Sequence, residues 1–207
     1  MRIEIVVFDG FDELDAIGPL ETLSQAARRG APFDVVLVRA DGPGEVTAQH
    51  GTRLIVADGL GQPDAVIVSG GGWLNRAPKG AWAEAERGAL PARLAELAPS
   101  LTWIASVCTG GMLLARAGLL QGRTATTNRN AQPELRAFDG VTVLPNRVVD
   151  DGNLITCGGI TAGFDLALHL IEREAGAEPA ATVARSLEYV PQKDVWTAVT
   201  LRAGTPM

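Results

Sequence analysis

The chain has 207 residues, 46% of them hydrophobic and 20% charged, with 18 Lys and Arg set against 24 Asp and Glu for a formal net charge of −6. That length suits one domain around one sizeable core, and the composition excludes a disordered or fibrous chain. The acidic balance argues against a nucleic-acid partner, and no apolar stretch nears bilayer length or forms a secretory signal behind the opening MRIEIVVFDGFDELD, so no membrane partner is expected and the cytoplasm is the expected compartment.

Residues 3–8 are apolar on both faces, as in a central strand of a parallel sheet covered by helices. Leu14, Ile17, Leu20 and Leu23 recur at helical spacing and end at Arg28, Arg29 and Gly30, with Pro19 expected to make the start of that helix irregular. Residues 33–38 read as a second strand, and 46–47 with 54–56 as a hairpin. The run 65–69 is a buried strand that stops at Gly70, Gly71 and Gly72, and 79–97 reads as one surface helix. Residues 101–107 form the next strand, Cys108 follows, and a small-residue helix runs from Thr109 to about Gly118. Residues 124–127 suggest a short strand, 133–138 a helical turn, and 147–149 with 154–156 a hairpin. The segment from Cys157 to Gly163 opens a last long helix, and the tail after Trp196 reads as loosely held. Alternating strands and helices predict a single α/β domain over 1–207 with its core in about 2–190. Its doubly wound, mostly parallel sheet should gather ligands outside the carboxyl ends of the strands.

Three glycine-rich strand ends, 70–72, 108–111 and 157–159, should meet at that edge. Cys108 stands where a buried strand becomes a helix, a place for an exposed nucleophile whose thiolate the free N–H groups of the helix start favour. The turn is comparable in logic to the serine elbow of hydrolases. The competing reading is an inert buried cysteine. Gly71, Gly72 and Thr109 can offer backbone N–H groups to a developing negative charge, unless 70–72 is a plain turn. Asp15 lies at the start of the first helix, either moving a proton for the thiol or simply capping the helix, with Asp12, Glu13 and Glu21 as competitors. The two histidines, His50 in a hairpin turn and His169 in an apolar helix stretch, suit neither a catalytic base nor a metal site, so no metal and no cofactor are expected. Cys157 reads as a packed core residue, and Asp165 as a cap for the last helix.

The segments LDAIGPLETL, VIVSGGG, SVCTGGMLLARAGLLQGRTATT and ITCGGITAGFDLALHLIE, in this order, resemble the ThiJ/PfpI family of the class I glutamine-amidotransferase-like superfamily. With the Asp15 motif they are similar to its isonitrile hydratase branch. The resemblance implies a flavodoxin-like sheet, a homodimer, a nucleophile at Cys108, an acidic partner at Asp15 and backbone donors at Gly72 and Thr109. It also implies a small-molecule substrate: water added to the terminal carbon of R–N≡C, with a Cys108 thiolate attacking and Asp15 moving the proton. If Asp15 touches a thiolate, like-charge repulsion should keep it protonated at neutral pH. Relatives often carry a histidine where this chain has Asn128, which cannot act as a base. Two other functions stay open, glyoxalase-like or deglycase-like chemistry on reactive carbonyls and a non-catalytic redox sensor or ligand-binding protein built on the Cys108 thiol.

Overall fold

The computed structural model describes residues 1–198. In chain order β1 (Arg2–Val7) is followed by α1 (Glu13–Arg28), β2 (Asp34–Arg39), a hairpin of β3 (Gly44–Thr47) and β4 (Arg53–Val56), and β5 (Asp58–Gly59). Next come β6 (Ala65–Val68), α2 (Ala81–Arg87), α3 (Ala89–Leu97), β7 (Trp103–Ser106), α4 (Gly110–Arg116), β8 (Thr124–Ala125), α5 (Gln132–Leu135) and β9 (Thr142–Val143). The chain continues through β10 (Val148–Asp150), β11 (Leu154–Cys157), α6 (Ala162–Ala175), α7 (Ala177–Ser186) and β12 (Val195–Thr197).

Eight strands form one sheet in the order β12, β10, β11, β7, β6, β1, β2, β5. Every neighbouring pair is parallel except β10 with β11. Consecutive residues of β1, β6, β7 and β11 are buried. Because neighbours in a strand point to opposite faces, both faces of the sheet must be covered. Helices α1, α6 and α7 pack together, as do α2, α3 and α4. This is the doubly wound, flavodoxin-like α/β architecture expected from the sequence.

The chain leaves β1 toward β2 on one side and returns to β6 on the other, so the strand order reverses between β1 and β6. Ligand crevices open at the carboxyl ends of strands at such a point. The register brings Val6, Val68, Ser106 and Thr156 to one level, so the segments beyond them meet at one edge. Each fully buried Ile or Val in these strands contributes about 1.5–3 kcal/mol, which makes β1 and β6 a rigid floor for that edge. Gly110 lets α4 start directly on β6: a Cβ there would stand 2.2 Å from the Val68 carbonyl oxygen.

Five expectations change. Residues 79–97 form two helices, because Gly88 at φ 77° ends α2 and starts α3. Pro19 does not disturb the start of α1, which runs unbroken from Glu13; proline removes only one intrahelical hydrogen bond, and its ring packs where a Cβ on Gly163 would touch it at 3.2 Å. Strand β8 is shorter than 124–127 and pairs with β9 in a separate sheet. Helix α6 is not the last, since α7 follows Gly176 at φ 105°. Trp196 lies inside β12, which pairs with β10, so the tail expected after it begins in a strand; the rest of that tail, from 199, lies outside the described residues.

Candidate active site

The chain turns from β7 into α4 within a few residues, and Cys108 takes a left-handed φ of 54° to do so. That region costs a residue with a Cβ roughly 1–2 kcal/mol. Two remote segments hold the conformation. The Cys108 N–H donates to the Gly158 carbonyl at 2.9 Å, and the Thr127 hydroxyl donates to the Cys108 carbonyl at 2.7 Å. In urea unfolding, Cys108→Gly is therefore expected to be more stable than Cys108→Ala by about 1 kcal/mol, since only glycine accepts this φ freely. Equal stabilities would remove the claim of strain.

Cys108 is only 5% exposed, so it is not the exposed nucleophile the sequence suggested. Burial, and then the charge of Asp15, push its thiol up to about 12. Hydrogen bonds from the Asn128 side chain and from the Ile160 and Thr109 N–H groups pull the other way without winning. The resting group is thus a thiol and not the expected thiolate: α4 has only seven residues, and its N-terminal amides do not offset desolvation. The Asn128 amide sits 3.4 Å from the sulfur. Its oxygen accepts the Asn130 N–H at 3.0 Å, which fixes the amide with Nδ2 toward Cys108.

Asp15 is fully buried on the first turn of α1. Burial first, and the Asp12 charge second, push its carboxyl up to about 8, opposed by hydrogen bonds from the Gly70 N–H and the Cys108 thiol. It therefore holds a proton at neutral pH as anticipated, but through desolvation and not through a thiolate. Oδ2 accepts the Gly70 N–H at 3.0 Å, whereas Oδ1 has no well-formed partner. The competing acids are engaged elsewhere. Asp12 caps α1 through the Leu14 N–H at 3.2 Å, Glu13 binds His50, and Glu21 accepts from Gln25 at 2.7 Å.

Above the sulfur lies a cleft of about 220 Å³, lined by Cys108, Thr109, Asn128, Gly71, Gly72 and Asp12 from the sequence candidates. Asp15 is fully buried and is not among the residues that line it. The Thr109 N–H points at the sulfur, but the Gly71 N–H is committed to the Thr109 hydroxyl at 2.9 Å and the Gly72 N–H to the Gln49 side-chain oxygen at 3.0 Å. Sequence reasoning missed Gln49, Trp73, Leu74, Asn75 and Ile160 on the cleft wall. A visible signal existed for two of them, since Trp73 and Leu74 directly follow the glycine turn. Ile160 at φ 48° had none.

Neither histidine lines the cleft. His50 pairs with Glu13 at 2.7 Å and His169 with Asp150 at 2.7 Å. Cys157 is fully buried, and both cysteines are free. Asp165 does more than cap α6: it accepts from Arg147 at 2.5 Å, from the Tyr189 hydroxyl at 2.7 Å and from the Gln192 N–H at 2.8 Å, fastening the chain beyond α7. A larger cavity of about 640 Å³ beside α6, α7 and β12 shares no lining residue with the cleft and contains no cysteine. Among the described residues no helix is long and apolar enough to cross a membrane.

The profile of the DJ-1/PfpI family matches residues 1–173. An isonitrile hydratase of Pseudomonas putida is 48% identical over 89 residues, 43% of this chain and 39% of that protein, so the match spans less than half of that relative. A deglycase of Thermococcus kodakarensis is 26% identical over 161 residues, 75% of this chain and 89% of that protein. The crystal structure of a ThiJ/PfpI family protein from Pseudomonas syringae superposes with a TM-score of 0.79 at 26% identity, covering 99% of this chain and 78% of that one.

Proposed function

This chain belongs to the DJ-1/PfpI family, and from that premise we propose that it is a Cys108-dependent enzyme that hydrates a small isonitrile to an N-substituted formamide. The observation that carries the reading is the buried Cys108 with the Asn128 amide 3.4 Å from its sulfur, where relatives often carry a histidine, beside a buried Asp15; burial pushes both toward their uncharged forms. Such a pair suits addition of S–H to a neutral carbon better than attack on an amide, which needs a base and a protonated leaving group. Similarity to an isonitrile hydratase over the matched stretch supports the same substrate class.

The sulfur bonds to the terminal carbon of R–N≡C as the S–H proton moves to that carbon, giving R–N=CH–S–Cys108, with the buried Asp15 carboxyl exchanging its proton with the sulfur. Water then adds its oxygen to the carbon and a proton to nitrogen. The tetrahedral R–NH–CH(OH)–S–Cys108 collapses to R–NH–CHO, and the proton returns to sulfur. Exposed Leu74 and Ile160 at the cleft would receive an apolar R group. The homodimer implied by the family resemblance and the cytoplasmic setting expected from the sequence belong to this proposal. Incubating the protein with a small alkyl isocyanide and following formamide by NMR tests it; no formamide above a protein-free control rejects the substrate.

The similarity to a deglycase favours one second reading, chemistry on a reactive carbonyl at the same thiol. Loss of methylglyoxal without turnover of isocyanide would replace the first reading with it. A redox-sensing thiol is less well supported, because burial and a raised pKa both slow oxidation.

A further inference from the structure

We propose that Gln49 is a built-in product mimic: its carboxamide occupies the Gly72 amide at rest, yields it to the oxygen that water adds to the reacting carbon, and on returning displaces the product. The inference deepens the proposed reading of the cleft and rests on it for the identity of the product.

Three successive backbone amides at the end of β6 meet three different acceptors. The Gly70 N–H donates to buried Asp15 at 3.0 Å and the Gly71 N–H to buried Thr109 at 2.9 Å. The Gly72 N–H donates to Gln49 at 3.0 Å, and that contact alone of the three is exposed to solvent. Water competes for an exposed neutral hydrogen bond and makes it easy to exchange. The two buried bonds hold the turn, while the third can change partner without disturbing it.

The backbone of Gln49 does not share that freedom. Its N–H donates to the Phe11 carbonyl at 2.7 Å, and the next residue, His50, is fastened to Glu13 through its N–H at 3.0 Å and its Nδ1 at 2.7 Å. The tip of the β3–β4 hairpin is thus tied to the first residue of α1, the helix that carries Asp15. Only the side chain of Gln49 has to swing, and Gly72 at φ 67° presents its amide toward the hairpin and the cleft. A primary carboxamide and an N-substituted formamide offer the same carbonyl oxygen to that amide. An oxygen gaining negative charge as the tetrahedral adduct collapses is a stronger acceptor than either. Gln49 therefore gives way while charge develops and competes on equal terms once the neutral formamide has formed.

The test uses N-methylformamide as the probe and the Gly72 amide resonance of the labelled protein as the readout. In the wild type the probe should shift that resonance at saturation. Gln49→Ala should bind the probe about fivefold more tightly, the factor set by the net worth of one neutral hydrogen bond. Gln49→Glu, whose carboxylate holds the amide more firmly, should weaken probe binding, and it supplies the comparison if the alanine variant does not fold. Unchanged or weaker probe binding in Gln49→Ala, or a Gly72 resonance that never responds in any of the three proteins, would overturn the proposal. The probe titration does not require turnover, so a protein that hydrates no isocyanide and still shows these shifts would refute the proposed reaction and leave the role of Gln49 standing.

Discussion

Asp15→Asn yields a protein that is more stable than wild type at pH 9 and inactive at every pH. In the folded chain the Asp15 carboxyl titrates at about 8, well above the ordinary value near 4 that the unfolded chain restores. Between these values the folded protein keeps a proton that the unfolded chain has released. Stability from this group is complete at low pH, falls as pH rises through that window, and is lost above about 8. Asparagine keeps an acceptor for the Gly70 N–H and has no proton to lose, so its stability curve should be nearly flat there. The gap at pH 9 should be on the order of several kcal/mol, because each tenfold change in proton affinity between the folded and unfolded chains is worth about 1.4 kcal/mol. Urea unfolding at pH 5 and pH 9 measures it, and parallel loss of stability in both proteins would show that Asp15 is not the source. A carboxyl kept at that cost is what the proposed role in proton transfer would require.

Cys108→Ala and Cys108→Ser should each lower formamide production by about 10³-fold or more, the scale for loss of a covalent nucleophile. The wild-type pH profile separates this mechanism from one with a resting thiolate. Because the pair must hold both protons to add S–H across carbon, the rate should be level below neutrality and fall as Asp15 loses its proton near pH 8. Cys108 itself does not ionise until far higher pH. A rate that climbs from pH 7 to pH 9 would mean that the thiolate is the working species and that the pair does not act as described.

The backbone plan was legible in the sequence because its signals are local. The apolar runs in β1, β6 and β7 admit only buried strands, and Cys108 between Val107 and Thr109-Gly110 marks the elbow by its neighbours alone. The break at Gly88 and the start of α7 after Gly176 also left local traces: a glycine at positive φ ends each preceding helix, and Ala-Glu-Pro follows Gly176 at the first positions of α7. Strand β12 was invisible for another reason, since three residues gain strand character only from pairing with β10. At the site, the residue types were readable and the charge state of Cys108 was not. The charge state of Cys108 depends on how far Ile160, Asn128 and the buried Asp15 exclude water from it, and these come from three distant parts of the chain. Gln49 was hidden likewise, because nothing in the hairpin sequence says which amide its side chain meets.

The two bonds that hold the Cys108 backbone also say when the reactive centre comes into being. Thr127 and Gly158 are far from Cys108 in sequence, and Gly158 reaches it only when β11 has joined β7 at the register Thr156 to Ser106. No local segment can form the elbow by itself, and contacts of such long sequence separation form late in folding. Until the sheet closes, position 108 is an ordinary solvated cysteine with an ordinary acidity, more reactive toward an indiscriminate electrophile than in the finished molecule. Folding thus hides the sulfur from general chemistry at the same step that would equip it for the proposed reaction, and recovery of that activity during refolding would time the closure of β11 against β7.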